Sequence, residues 1–173
     1  RVIVPMRNSE TTVIKTLRSI LRQKYPIVEI IVVDNVSADA SVRLVERLAK
    51  IVKRVPIKLI RQKVNQGVGT SYNIGVAKAK SDYVIFMHSD SILPSAQEFL
   101  RLTEPLRKDS AIIATCALTV MPEKLWVQYP FWEKCLLAQS VGKNVAGLNA
   151  KCDCHKKEAF LKAILGKNPK SMN

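Results

Sequence analysis

Along the first 120 residues, β-branched and aliphatic runs alternate with stretches whose apolar side chains recur at helical spacing, and few folds accept that alternation. Residues 2–4 read as a short strand halted by Pro5. Ser9 then stands where it would cap a helix carrying Ile14, Leu17, Ile20 and Leu21 on one face and ending near Gln23. Residues 28–33 form a nearly unbroken apolar run, as a strand buried on both faces of a parallel sheet does. A second helical pattern (Val42, Val45, Leu48, Ala49, Val52) precedes a third strand at 57–60. Residues 65–75 read as a turn entering a small-residue helix that runs to Lys80. A fourth strand at 82–87, a helix at about 95–107 and a strand at 111–120 complete the series. This order predicts an α/β fold, a mostly parallel sheet with helices on both faces and right-handed crossovers. From Lys151 onward one short helix (156–165) and a polar tail are expected, with no further core strand.

A chain of 173 residues suits one domain with a real core, and 47% hydrophobic residues excludes a disordered composition. No apolar run approaches the roughly 20 residues that cross a bilayer. Arg1 opens directly on a strand without an initiator Met, which reads as a processed or trimmed start; no signal peptide is expected, and the location is read as cytoplasmic. The net charge of +14 favours nucleotide phosphates, polyanions or an anionic membrane surface. Nucleic acid is disfavoured, because no aromatic-and-basic RNA-binding signature accompanies the charge. Cys116, Cys135, Cys152 and Cys154 make no disulfide framework. Cys152-Asp153-Cys154-His155 lacks the spacing and the second pair that a structural zinc site needs, so reduced thiols are expected.

Past Met121 the pattern changes. Trp126, Tyr129, Phe131 and Trp132 cluster in a segment that reads as an amphipathic helix down to Val141. Two readings stay open: a helix covering the sheet with its aromatics inside, or an interfacial helix with Lys124, Lys134 and Lys143 at a membrane.

The polar residues sit at strand ends. In a parallel α/β sheet ligands bind beyond the carboxyl ends of the strands. Asn8 follows the first strand, Asp34 the second, the Asn65 to Asn73 stretch the third, and His88-Ser89-Asp90 the fourth. Any one of these could be only a cap or a turn; four in succession predict a ligand cleft. Gly67 and Gly69 are not a dinucleotide fingerprint. Tyr72 stands where the third Gly belongs, and the loop follows the third strand instead of the first. A Walker loop is also absent.

Four stretches, Val2-Ile3-Val4-Pro5-Met6-Arg7-Asn8, Ile31-Val32-Val33-Asp34-Asn35-Val36-Ser37-Ala38-Asp39, Asn65-Gln66-Gly67 through Tyr72-Asn73-Ile74-Gly75, and Phe86-Met87-His88-Ser89-Asp90, resemble in order and spacing the family 2 glycosyltransferases of GT-A fold. The resemblance covers residues 1–120, and Lys156-Lys157-Glu158-Ala159-Phe160 resembles the family's basic-basic-Glu-x-Phe segment. It implies transfer of a sugar from a UDP- or GDP-sugar to an acceptor hydroxyl, with inversion and with Mn²⁺ or Mg²⁺ as cofactor. Residues 1–120 would then bind the nucleotide sugar and 121–173 would form an acceptor-side part. By position, Pro5 and Asn8 would line the base and ribose pocket, and Asp34 would hydrogen-bond base or ribose. Asn65, Gly67 and Asn73 would form the donor-side loop and helix, with Ser89 beside them. Asp90 would be the second acid of the metal motif. The implied partners are a nucleotide-sugar donor and a saccharide or lipid-linked acceptor, with peripheral contact at the cytoplasmic face of an anionic membrane.

This sequence departs from the pattern. His88 takes the place of the first metal-motif acid; imidazole suits Mn²⁺ better than Mg²⁺. Asn35 replaces a second acid, and Tyr72 stands where Arg is common. No acid follows Phe160, where the family carries its catalytic base, so Asp153 is the remaining candidate base. Two expectations follow: a chain whose C-terminal part is incomplete, or a non-catalytic GT-A-like binding module.

Overall fold

A computed structural model describes residues 1–117, 127, 128, 130 and 151–165. Strands β1 (Val2–Met6), β2 (Ile30–Asp34), β3 (Ile57–Arg61), β4 (Tyr83–Met87), β5 (Ala114–Cys116) and β6 (Cys152–Lys156) form one sheet in the order β3-β2-β1-β4-β6-β5. Helices α1 (Val13–Leu21), α2 (Ser41–Ile51), α3 (Gly67–Lys78) and α4 (Glu98–Lys108) each follow a strand, and α5 (Lys157–Leu165) follows β6. β1 to β4 are mutually parallel. Their carboxyl ends therefore lie along one edge, to which the helices following β1, β2 and β3 present their N-termini.

The alternation expected through residue 117 is present, and β6 departs from it. This strand enters antiparallel between β4 and β5, with Tyr83 opposite Lys156 and Met87 opposite Cys152. The expectation of no core strand after Lys151 is thus corrected. Cys152 and Cys154 pack into the core on one face of the sheet, while Asp153 and His155 point to the other. A strand with Asp and His on its inward positions hides the hydrophobic alternation by which strands are read. The same alternation splits the Cys-Asp-Cys-His set between two faces, so it cannot close round one ion. Burial pushes the thiols of Cys152 and Cys154 up to about 12, which keeps them protonated.

A second correction concerns Pro5. β1 runs through it to Met6, with Pro5 opposite Val33. Alternate residues of β1 turn to alternate neighbours, and Pro5 turns towards β4, whose pairing with β1 ends at Ile3. The missing N–H therefore costs no ladder bond.

Two apolar layers sandwich the sheet. Val2, Val4 and Met6 of β1, with Ile30, Val32, Ile85 and Met87, pack under Leu17 and Ile20 of α1, Val45 of α2 and Phe99 of α4. Ile3, Ile31, Val33, Val84 and Phe86 pack under Tyr72 and Val76 of α3 and Leu161 of α5. α3 lies against β1 because Gly75 has no side chain: a Cβ there would stand 2.3 Å from Ile3 Cγ2. No helix among the described residues is long and apolar enough to cross a membrane. The aromatic cluster of Trp126, Tyr129, Phe131 and Trp132, Cys135, the lysines at 124, 134 and 143, and the tail beyond Leu165 lie outside the described residues.

Candidate active site

The loops beyond β1, β2, β3 and β4 meet at the carboxyl edge and are fastened to one another by short polar side chains. At the end of β1, Asn8 adopts φ +48°, a left-handed conformation that Asn tolerates. Its Oδ1 accepts the Ala38 N–H at 2.9 Å, and its own N–H donates to Ser37 Oγ at 3.0 Å, which joins the first two loops. The second and third loops are joined by Asn35, whose Nδ2 donates to Asn65 Oδ1 at 2.7 Å and whose Oδ1 accepts the Gln66 N–H at 3.1 Å. The first and fourth are joined by the hydroxyls of Ser9 and Ser89, 2.8 Å apart, and Thr16 of α1 donates to the Ser89 carbonyl at 2.9 Å. Ser9 is therefore no side-chain cap; its carbonyl closes the turn into α1, while its hydroxyl faces β4.

Asp34 ends β2 and is 2% exposed. Both of its carboxylate oxygens accept the Ser37 N–H, at 3.2 and 3.4 Å, and a carboxylate has lone pairs left for further donors. Between Asp34 and Ser37, Val36 is held at φ +62°. A β-branched residue in that region stores about 1–3 kcal/mol of strain, and such residues cluster at ligand sites. Nothing about a valine in the sequence signals it.

In the third loop Gly67 takes φ +82° and opens α3, so the glycine-bearing stretch is the first turn of a helix more than a loop. Its N–H donates to Asn65 Oδ1 at 3.1 Å, and its carbonyl accepts Ser71 Oγ. The N-cap residue Gln66 makes no side-chain cap bond, and Asn65 takes only the first N–H of α3, which leaves the positive end of the helix dipole directed at the edge. Asn73, two turns in, is half-buried.

After β4 the chain turns at His88-Ser89-Asp90, with the Ser91 N–H donating to the His88 carbonyl. His88 Nδ1 lies 3.7 Å from Asp90 Oδ1, with the side chains 34% and 64% exposed. Among the described residues no group of three or more His, Cys, Asp or Glu could hold a metal ion. The chain supplies one nitrogen and one oxygen donor here. Two such donors would leave most of a divalent ion's shell to other oxygen ligands, such as phosphate and water, an arrangement common for divalent ions at phosphate sites.

Asp153, opposite Phe86 in β6, is 1% exposed. It shares its face of the sheet with Tyr72, and burial together with the charges of Asp153 and Asp90 pushes the Tyr72 hydroxyl above its ordinary range. Phe86, Phe160 and His155 stack beside it at centroid distances of 4.9 to 5.4 Å. Asn8, Asp34, the Asn65 loop and Asp90 thus share one edge. Pro5 is buried within β1 just inside it, and Asp153 is walled in below the carboxyl end of β4.

The fold is that of GT-A glycosyltransferases. A mannosyltransferase from Pyrobaculum calidifontis, solved with GDP-Man and Mn²⁺, superposes with a TM-score of 0.74 at 21% identity, over 94% of this chain and 45% of that one. The S. aureus TarS fragment 1–349 with UDP-GlcNAc gives 0.68 at 19% identity, over 94% and 46%. In sequence, the uncharacterized glycosyltransferase EpsJ of Bacillus subtilis is 35% identical over 115 residues, 66% of this chain and 32% of that protein. An uncharacterized glycosyltransferase of Haemophilus influenzae is 35% identical over 92 residues, 53% and 36%. The chain thus spans about a third of the length of these relatives. The model of the family described as "Glycosyl transferase family 2" matches residues 1–167, and the chain belongs to that family.

Proposed function

We propose that this chain belongs to an inverting glycosyltransferase that moves a sugar from a UDP- or GDP-sugar to an acceptor hydroxyl at the cytoplasmic side of the membrane. The observation that carries the reading is a buried acid, Asp34, on the same edge as an exposed acid, Asp90, with the loops between them fastened by Asn8, Asn35, Ser9 and Ser89. Asp34 accepts hydrogen bonds from base or ribose. Asn8 holds the loop that carries Ser37, and Pro5 stiffens the strand behind it. The Asn65-to-Asn73 stretch presents the N-terminus of α3 to the donor's negative charge, with Ser89 at the facing wall. His88 and Asp90 would hold the divalent ion, Mn²⁺ in preference to Mg²⁺, and it would supply positive charge against the charge developing on the leaving diphosphate.

Asp153 is the candidate base: it lies on the Tyr72 face, and it can take a proton only from a hydroxyl that enters that wall. Residues 1–120 bind the donor and 121–173 form the acceptor side, for a saccharide or lipid-linked acceptor. The replacement of an acid by His88 and the depth of Asp153 favour a second reading, a GT-A-like module that binds nucleotide sugar without turning it over. Nucleoside diphosphate release from a panel of UDP- and GDP-sugars with Mn²⁺ separates the two. Release that is lost in Asp90→Ala supports the enzyme; binding without release supports the module; neither binding nor release removes both.

A further inference from the structure

Along the exposed face of α1 lies an open groove of about 540 Å³ lined by Lys15, Arg18, Leu21, Arg22 and Ile92. Lys15, Arg18 and Arg22 fall at positions i, i+3 and i+7, one stripe of the helix. All three are exposed, and among the described residues no carboxylate pairs with any of them. Arg54, reaching from the loop before β3, donates its guanidinium to the Leu21 carbonyl and brings a fourth cation to the C-terminal end of the stripe. Ile92, from the loop after β4, is 57% exposed at the groove.

A solvated helix face needs neither a concave shape nor an exposed isoleucine between its cations. A nucleic-acid groove would use aromatic or amide side chains to meet bases, and none lines this one. Cations interleaved with aliphatic side chains suit a surface whose outer layer is anionic and whose next layer is hydrocarbon. We propose that the α1 groove is a docking surface for an anionic phospholipid bilayer. The placement has a consequence for the cleft. Thr16, between Lys15 and Leu17, is bonded to the Ser89 carbonyl, and Ser19 Oγ accepts the Leu93 N–H at 3.2 Å. A bilayer held by α1 therefore lies beside the loop that carries His88, Ser89 and Asp90. The inference does not rest on donor binding and stands or falls separately from it.

The test is co-sedimentation of the full chain with vesicles of phosphatidylcholine alone and with 30 mol% phosphatidylserine (a mixture of roughly cytoplasmic-leaflet charge). Because a +14 chain is drawn to any anionic surface, Arg18→Glu/Arg22→Glu is compared with Lys78→Glu/Lys80→Glu. The latter pair is exposed at the end of α3 on the other face of the sheet and changes the charge equally. The expected result is binding to the serine-lipid vesicles only, reduced at least about fivefold by the α1 pair and less than about twofold by the α3 pair, with a further loss in Ile92→Asn. Thermal melts of each variant exclude unfolding as the cause. Equal losses from both pairs, binding to neutral vesicles as strong as to anionic ones, or no binding to either overturns the proposal. So does loss of oligonucleotide binding in the α1 pair with vesicle binding intact.

Discussion

Gly75 sets the depth at which α3 lies on the sheet, and its replacement by Ala has a sign that can be worked out. The added Cβ would stand 2.3 Å from Ile3 Cγ2, 3.1 Å from Cγ1 and 3.3 Å from Cβ. Carbon atoms rest about 3.5–4.0 Å apart, so helix and strand must separate by about an ångström or Ile3 must leave its rotamer. Ile3 is fully buried on the central strand, between β2 and β4, and has no room to turn. Overpacking of this kind costs about 1–3 kcal/mol, and the short contact argues for the upper half. Ala is a better helix former than Gly by about 1 kcal/mol. The net expectation is a loss of about 1–2 kcal/mol, or several degrees in Tm for a chain of this size.

The decisive arm is the second background. Ile3→Ala alone should cost about 2–5 kcal/mol. With Cγ1 and Cγ2 gone, Gly75→Ala now fills space and keeps its helix preference, so the same change should stabilise by about 1 kcal/mol. Urea unfolding of the four proteins gives the cycle, with a favourable coupling of about 2–3 kcal/mol. A Gly75→Ala protein as stable as or more stable than its parent, or effects that simply add, would refute the packing argument.

Three further outcomes rest on named contacts. Asn35→Ala removes the two bonds that tie the second loop to the third, to Asn65 Oδ1 and from the Gln66 N–H, while Asn65 Oδ1 keeps the Gly67 N–H; it should lower the unfolding free energy by about 1–2 kcal/mol in urea titrations. Burial lowers the pKa of His155, so the unfolded chain takes up a proton that the folded one refuses. Stability should be full above about pH 6.5 and fall as pH drops below it, the urea midpoint at pH 5.5 lying under that at pH 7.5; His155→Gln should flatten the slope. His88→Asp, which restores two oxygen donors, should raise Mg²⁺ affinity relative to Mn²⁺ when binding is monitored by Mn²⁺ EPR with Mg²⁺ competition; an unchanged ratio would take His88 out of the site.

Much of this architecture is legible in the sequence because parallel strands bury both faces and so announce themselves as unbroken apolar runs, as residues 30–33 do. Strand ends are legible for the same reason: Asn8, Asp34 and Asp90 stand in the polar clusters that directly follow apolar runs. Features that depend on a neighbour in space are not. β6 conceals itself because Asp153 and His155 occupy inward positions among aromatic rings. Ser9 looks like a cap until β4 delivers Ser89 to its hydroxyl. Pro5 looks like a strand breaker until the sheet order shows that β4 has stopped pairing before reaching it. Val36 offers no sign of its left-handed backbone, which lies among the bonds that tie Asn8, Ser37 and Asp34 together.

The measurement closest to the central claim is isothermal titration of UDP and GDP into the chain, with and without Mn²⁺, for the parent and for Asp34→Ala. At least one diphosphate is expected to bind, and losing the buried carboxylate should weaken it by about 10–100-fold, as a lost charge-assisted hydrogen bond does, with the melt showing the chain still folded. Absence of binding by either nucleotide, or an affinity indifferent to Asp34, would contradict it.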